Sequence, residues 1–248
     1  MYSHSAIRSF PHEVARVARS LFRRAIQARS ISLYGLHISI DPDIFSDSIR
    51  DALYAERYEY EERSLVSSVV VSTDRVLEIG SAIGFVSMMI HRKNPQASIH
   101  FEPNAGLVEQ ARMNCRQNDI DLDFVSAAIV SADFTEDEVT LNVGDDFWSG
   151  SIARAGTDAK HQSVPAVRID QVLSDFAPTV LVVDIEGAEC DVLTDVELAG
   201  VRALILELHR RYTDETKMRK LLISLMEQGF NLDLDLSIGE NVVFSRTI

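Results

Sequence analysis

Apolar and polar positions along the chain change rhythm twice. Over residues 11–27 apolar side chains recur at helical spacing, with Val14, Val17, Leu21, Phe22 and Ile26 near one face and arginines mostly elsewhere. Residues 31–40 alternate instead: Ile31 and Leu33, then Leu36, Ile38 and Ile40, with Tyr34-Gly35 between them, which predicts a short hairpin. Asp41-Pro42-Asp43 is a turn and helix-start signal, and helices are predicted over 44–55 and 59–69.

From there the pattern is β/α. Strands are predicted at 75–79, 97–101, 123–127, 179–184 and 203–208, and helices at 85–92, 105–117, 190–195 and 213–228. Alternation of this kind implies a parallel sheet covered on both faces, an α/β, Rossmann-like architecture. The chain ends differently. Residues 230–236 and 242–246 read as strands joined by a tight turn at Gly239, so an antiparallel hairpin should sit at the sheet edge. Between the third and fourth strands, 138–143 and 164–169 have strand character. They flank a Gly-, Ser- and Asp-rich stretch over 144–162 that holds the single tryptophan, Trp148, and reads as a loop over the acceptor site.

Composition narrows the function. The 248 residues suit one large domain or one domain with an appendage. No apolar run approaches the roughly 18 residues of a membrane span, and the start has no continuous apolar segment of a secretory signal. Two cysteines, Cys115 and Cys190, do not make a disulfide framework, so a cytoplasmic location is expected. The net charge of −14 argues against a nucleic-acid partner. Residues 1–30 carry six arginines against Glu13, or +5, which leaves −19 for the remainder. The apolar face of this basic helix is expected to pack on the chain's own acidic body. The alternative is contact of residues 8–29 with an anionic membrane or an acidic protein.

Candidate chemistry gathers at the carboxyl ends of the predicted strands, where open α/β sheets bind ligands. The run Val76-Leu77-Glu78-Ile79-Gly80-Ser81-Ala82-Ile83-Gly84-Phe85 joins a strand to a helix through two glycines four apart. A diphosphate loop wants a second glycine where Ala82 stands, and Glu78 beside it would repel an anion. S-adenosylmethionine, which carries adenosine and an amino acid but no phosphate, fits better. Glu102 ends the next strand at the spacing expected of an acid that accepts ribose hydroxyls, and Pro103-Asn104 open the following helix. Glu78 is expected to hold the cationic amino group of the methionine moiety. Ser81, Phe85 and Ala127 complete the expected cofactor pocket.

A second group follows the apolar strand Val180-Leu181-Val182-Val183, with Asp184, Glu186 and Glu189 closely spaced around Gly187. Uncompensated acids at a buried strand end are costly unless solvated or used, although acids also cap helix starts. His209 follows the strand Leu204-Ile205-Leu206-Glu207-Leu208 at the same rim, and histidine is suited to proton transfer. Asp184, Glu186 and His209 are therefore the catalytic candidates, and Asp184 also borders the cofactor. Glu59 and Glu62, in the acidic aromatic run after Tyr58, join Glu189 and Trp148 as candidates for covering or contacting the acceptor. No two histidines stand at i, i+4 and no cysteines cluster, so no metal site is assigned from sequence.

Taken in order, several stretches resemble FkbM-type methyltransferases over roughly residues 31–247. They are the 78–84 loop, Phe101-Glu102-Pro103-Asn104, the stretch around Asp170, the block Asp184-Ile185-Glu186-Gly187-Ala188-Glu189 and Leu206-Glu207-Leu208-His209. The resemblance implies the class I methyltransferase fold, a seven-stranded sheet with an antiparallel last strand. It also implies S-adenosylmethionine as cofactor and O-methylation of a sugar or natural-product hydroxyl. Residues 1–50 would then be a basic helix and hairpin extension, and 51–248 the methyltransferase domain. Ala82 stands where the family usually has Asn, and Val182 where many members have Lys. The rival readings are a nicotinamide oxidoreductase, which Ala82 and Glu78 oppose, and a non-catalytic cofactor-binding protein on the same fold.

Overall fold

Residues 6–42, 44–143 and 160–247 are described by the computed structural model, and the chain falls into two units, Met1–Tyr60 and Glu61–Ile248. The first holds α1 (Ala6–Ala25), the hairpin β1 (Ser30–Leu33) and β2 (Leu36–Ser39), and α2 (Asp47–Tyr54). The division lies beyond the residue 50 expected from sequence, because α2 packs on α1 and β1.

Arginine sets the orientation of α1. Arg19 grips Glu56 through Nε and Nη2 at 2.8 and 2.9 Å. Arg23 donates to Glu56 and to the Tyr54 carbonyl, and Arg16 to the Ala55 carbonyl. Two of these bonds satisfy carbonyl groups that the end of α2 leaves without helical partners. The hydrogen bond from Arg19 holds the Glu56 carboxyl below its usual range. With the guanidinium groups turned inward, Val14, Val17, Leu21, Phe22 and Ile26 are 51–64% exposed. Within this unit, polar bonds from the arginines fasten the helix to the end of α2.

The second unit carries the main sheet. Its elements begin with α3 (Tyr60–Val69), β3 (Arg75–Ile79), α4 (Phe85–His91), β4 (Ala97–Phe101), α5 (Ala105–Gln117) and β5 (Phe124–Val125). A smaller three-stranded sheet follows, from β6 (Ala128–Val130), β7 (Glu138–Val143) and β8 (Lys160–Arg168). The chain then returns through α6 (Ile169–Phe176), β9 (Val180–Val183), α7 (Glu189–Leu193), β10 (Ala203–Glu207), α8 (Glu215–Glu227), β11 (Asn231–Ile238) and β12 (Asn241–Ser245). The seven main strands lie in the order β11-β12-β10-β9-β3-β4-β5. β12 runs antiparallel to both neighbours and the rest are parallel to one another. This is the expected α/β, Rossmann-like sheet with an antiparallel last strand. The order reverses between β9 and β3, which makes their carboxyl ends the switch point.

Strand alternation sorts the core. Leu77 and Ile79 of β3, Leu181 and Val183 of β9 and Leu204 and Leu206 of β10 share one buried cluster with residues of α6, α7 and α8. α6 replaces the end of a predicted strand. Its apolar Ile169 and Val172 are buried at helical spacing, a period the short run 164–169 could not reveal. Among the described residues no helix is long and apolar enough to cross a membrane.

The opposite ends of the strands are tied by Asp74. It is 2% exposed and accepts from Arg202 (Nε 2.8 Å, Nη2 2.5 Å), from the Thr179 hydroxyl at 2.9 Å and from the Val71 amide at 2.8 Å. One carboxylate thus joins the entries to β3, β9 and β10. Burial works against its charge, but the bonds from Arg202, Val71 and Thr179 win and hold its pKa below the usual value. Its stabilisation is therefore present above the ordinary carboxylate range and is lost as pH falls through its depressed pKa. We expect Asp74→Ala to lower stability by about 2–4 kcal/mol in urea denaturation while leaving cofactor affinity within twofold. A variant as stable as the parent would show that Asp74 is not a fastener.

Candidate functional site

The loop 80–84 is built by close approach. Gly80 has φ 93°, and a Cβ there would lie 1.7 Å from the Asp184 carbonyl oxygen, so only glycine lets β3 turn out against the end of β9. The Gly80 and Ser81 amides both donate to the Phe101 carbonyl at 2.8 and 3.0 Å. Gly84 (φ 76°) caps α4, where a Cβ would sit 2.9 Å from that of Ala111 on α5. Asn114, fully buried, donates to the Ile83 carbonyl and fixes the loop's far side.

Glu102 closes the cradle. Its Oε2 accepts from the Ala82 amide at 3.0 Å and its Oε1 from the Asn104 amide at 2.8 Å. Ala82 holds φ 45° to make that bond. Burial dominates the titration of Glu102: against the two amide bonds, and helped by Glu78, it pushes the pKa up to about 7. The Ser81 hydroxyl is buried beside this loop without a hydrogen-bond partner. A polar hydroxyl and a two-oxygen acceptor, both desolvated, are what a ligand with hydroxyl and amine groups would satisfy.

Glu78 lies buried at the base of the loop. Its Oε2 meets His100 Nδ1 and the Ser87 hydroxyl, each at 2.5 Å, and His100 Nε2 reaches the Ser98 hydroxyl at 3.0 Å. Glu78 and His100 are 2% and 0% exposed. They face each other across β3 and β4, on the side of the sheet away from Leu77 and Ile79. Through Oε2 the carboxylate ties α4 and β4 to β3. Period-2 alternation in β3 was the signal that could have revealed it. Phe85 and Ala127 are buried, 1% and 2% exposed, with Ala127 inside the main core. The Asn104 side chain caps α5 by accepting from the Gly106 and Leu107 amides. Pro103 lies between Glu102 and this cap.

The acid block and His209 come together. His209 Nδ1 meets Glu189 Oε1 at 2.8 Å, while Nε2 lies 3.4 Å from Glu186 Oε2, 3.7 Å from Asp184 Oδ1 and 4.0 Å from Glu207 Oε1. The sharp turn from β9 into α7 makes this convergence: Glu186 and Gly187 both have positive φ, 53° and 100°. A Cβ on Gly187 would meet that of Tyr212 at 2.8 Å. Burial disfavours a charged His209, but the bond to Glu189 and the charges of Glu189, Glu186 and Glu207 outweigh it and raise its pKa to about 9. Near neutral pH it is thus an imidazolium, unsuited to accept a proton. Burial, opposed by His209, raises the Glu186 carboxyl. Burial and then Glu62 push Glu207 up to about 7.

Glu207 was missed as a site residue although it, like Asp184, is an acid ending an apolar strand. Glu62 is buried on α3 and interacts with Glu207. Glu59 belongs to the first unit, and Trp148 lies outside the described residues.

The family profile for the "Methyltransferase FkbM domain" matches residues 78–232. None of the curated proteins matches the chain. Several solved structures are similar to it. One is a ribosomal protein L11 methylase from Lactobacillus delbrueckii subsp. bulgaricus, at 14% identity over 75% of each chain with a TM-score of 0.43. Another is a putative tRNA (m1A22) methyltransferase from Streptococcus pneumoniae in complex with S-adenosyl-L-methionine, at 15% identity over 75% of this chain and 72% of that one, TM-score 0.43. A methyltransferase from Pyrococcus furiosus aligns over 94% and 99% at 14% identity, TM-score 0.44.

Glu102 supplies a pH test. A buried acid with a raised pKa contributes to the free protein's stability below its unfolded value of 4.5, and that contribution is lost as pH rises through about 7. A ligand whose hydroxyls donate to Glu102 selects the ionised form. S-adenosylmethionine should therefore bind about tenfold more tightly at pH 8 than at pH 6, releasing a proton on binding near neutral pH. In Glu102→Gln both the pH dependence and the proton release should vanish. Calorimetry in buffers of different ionisation enthalpy reads this directly, and equal affinity at the two pH values would rule out the assignment.

Proposed function

The chain belongs to the Methyltransferase FkbM domain family, its cofactor is S-adenosylmethionine, and on that premise we propose that it methylates a hydroxyl oxygen of a sugar or natural-product acceptor. The observation that carries this reading is the contact of the Gly80 backbone with the Asp184 carbonyl. It puts the cofactor loop against the rim where Asp184, Glu186, Glu189, Glu207 and His209 gather.

Glu102 would accept the ribose hydroxyls, the buried Ser81 hydroxyl would bond the ligand it lacks, and the 80–84 backbone would line the rest. Bound there, the cofactor supplies an electrophilic methyl group on a sulfonium. Displacement at that carbon needs the acceptor oxygen in line, so the chain's task is orientation, which can contribute on the order of 7–11 kcal/mol. Asp184 and Glu186 would hold the acceptor hydroxyl and receive its proton. His209, charged, would fix both carboxylates while Glu189 holds the ring. The acidity of this rim fits an uncharged or polyhydroxylated acceptor and opposes nucleic acid. The free, buried thiols of Cys115 and Cys190 suit a reducing cytoplasm.

Mass analysis of products from a panel of hydroxylated glycans and polyketides should show one added methyl group, on oxygen. Glu186→Ala and His209→Ala should each lower kcat by about 10²–10⁴-fold with cofactor affinity unchanged. Unaltered turnover in these variants and in Asp184→Ala, or a methyl found on nitrogen, would reject the reading.

A further inference from the structure

β10 and β12 meet the functional rim on the far side of β9 from the glycine loop. Glu207 closes β10, Asn241 opens β12, and the two are direct partners across the antiparallel pair. Directly opposed side chains share a face, with Cβ atoms about 4.5–5.5 Å apart. That face is the one turned away from Leu204 and Leu206. There Glu62 of α3 reaches Glu207 through a carboxyl–carboxyl hydrogen bond, which exists only while the pair holds a proton. Glu62 and Asn241 are each 6% exposed. Asn241 Oδ1 is buried with no hydrogen-bond partner among the described residues. A desolvated amide oxygen costs stability until a donor reaches it. Val243, the next residue of β12 on this face, is buried and apolar, and carries no such cost.

We propose that Glu62, Glu207 and Asn241 form a subsite for a primary amine of the acceptor, held beside the hydroxyl that is methylated. An ammonium carries three donors and no acceptor, and each of these side chains offers it an oxygen. A hydroxyl brings one donor and leaves the other oxygens unmet. Charge favours the same ligand, because Asp184, Glu186, Glu189 and Glu207 share one imidazolium at this rim. The bound ammonium takes the place of the proton that Glu62 and Glu207 share, and that proton leaves to solvent. The position suits the acceptor rather than the cofactor. β10 is separated from β4, whose end carries Glu102, by β9 and β3, or about 14 Å at the usual strand spacing.

The subsite rests on the hydroxyl-methylation reading for its role, but it is tested by binding alone. The full chain, saturated with S-adenosylhomocysteine, is titrated with glucosamine, glucose and N-acetylglucosamine while the Asn241 side-chain amide is followed by nuclear magnetic resonance. Glucosamine should shift that resonance and bind about tenfold more tightly than the other two, the worth of a charged hydrogen bond. Asn241→Leu should leave the free chain at least as stable in urea, keep S-adenosylhomocysteine affinity and abolish the preference for glucosamine. A residue serving the fold alone would do the opposite, losing stability and no preference. Glu207→Gln should also abolish the preference. Asp191→Asn, which alters an exposed acid paired with Lys217, should retain it. Equal binding of the three sugars, or an Asn241 signal that stays in place in the unaltered chain, overturns the subsite. So does a loss of cofactor affinity in Asn241→Leu, which would give the pocket to the cofactor. Preference for the amine with the methyl group found on nitrogen keeps the amine pocket and removes the hydroxyl reading. Methylation of hydroxyls on amine-free acceptors, with no preference for glucosamine, does the reverse.

Discussion

The contact between the Gly80 backbone and the Asp184 carbonyl is the constraint on which the site depends. β3 and β9 pair in parallel through Ile79 and Val183, and both chains must leave the sheet at the same level. One leaves as the 80–84 loop and the other as the acid turn. With 1.7 Å left for a Cβ, no side chain can separate them. The glycine loop and the acidic rim are consequently one structure, and strain at either would be felt by the other.

Desolvated carboxylates recur through the second unit, each handled differently. Asp74 is matched by a guanidinium and stays charged. Glu78 is absorbed into a net with His100 and Ser87. Glu102 has only two amides to oppose its burial, and its pKa rises to about 7. The cluster at Asp184, Glu186, Glu189 and Glu207 shares one imidazole. The first two fasten elements together. The latter two leave acceptor capacity unfilled, which is why they, and not Asp74 or Glu78, mark the places where chemistry is expected.

Much of the sheet was legible. Arg75–Ile79, Ala97–Phe101 and Ala105–Gln117 form where periodicity put them, because strong alternation or helical spacing is imposed by burial on one face. The third strand was not: only Phe124–Val125 pair with β4, and the chain then crosses into a second sheet as Ala128–Val130. An apolar run cannot say which sheet it joins. The orientation of α1 was also hidden. Within the first unit it is set by partners of Arg16, Arg19 and Arg23 that lie thirty or more residues away at Tyr54, Ala55 and Glu56.

The sequence by itself determined the layered α/β class, the glycine loop, the acid at Glu102 and the presence of acids at the rim, because each is a local pattern tied to strand ends. Only the tertiary structure decided what those acids do. Glu78 pairs with a residue on the neighbouring strand, and His209 meets Asp184 and Glu189 from a separate strand and turn. Spacing along the chain carries no trace of such a meeting. It is fixed by strand order and by the two positive-φ residues that bend the acid block back over the sheet.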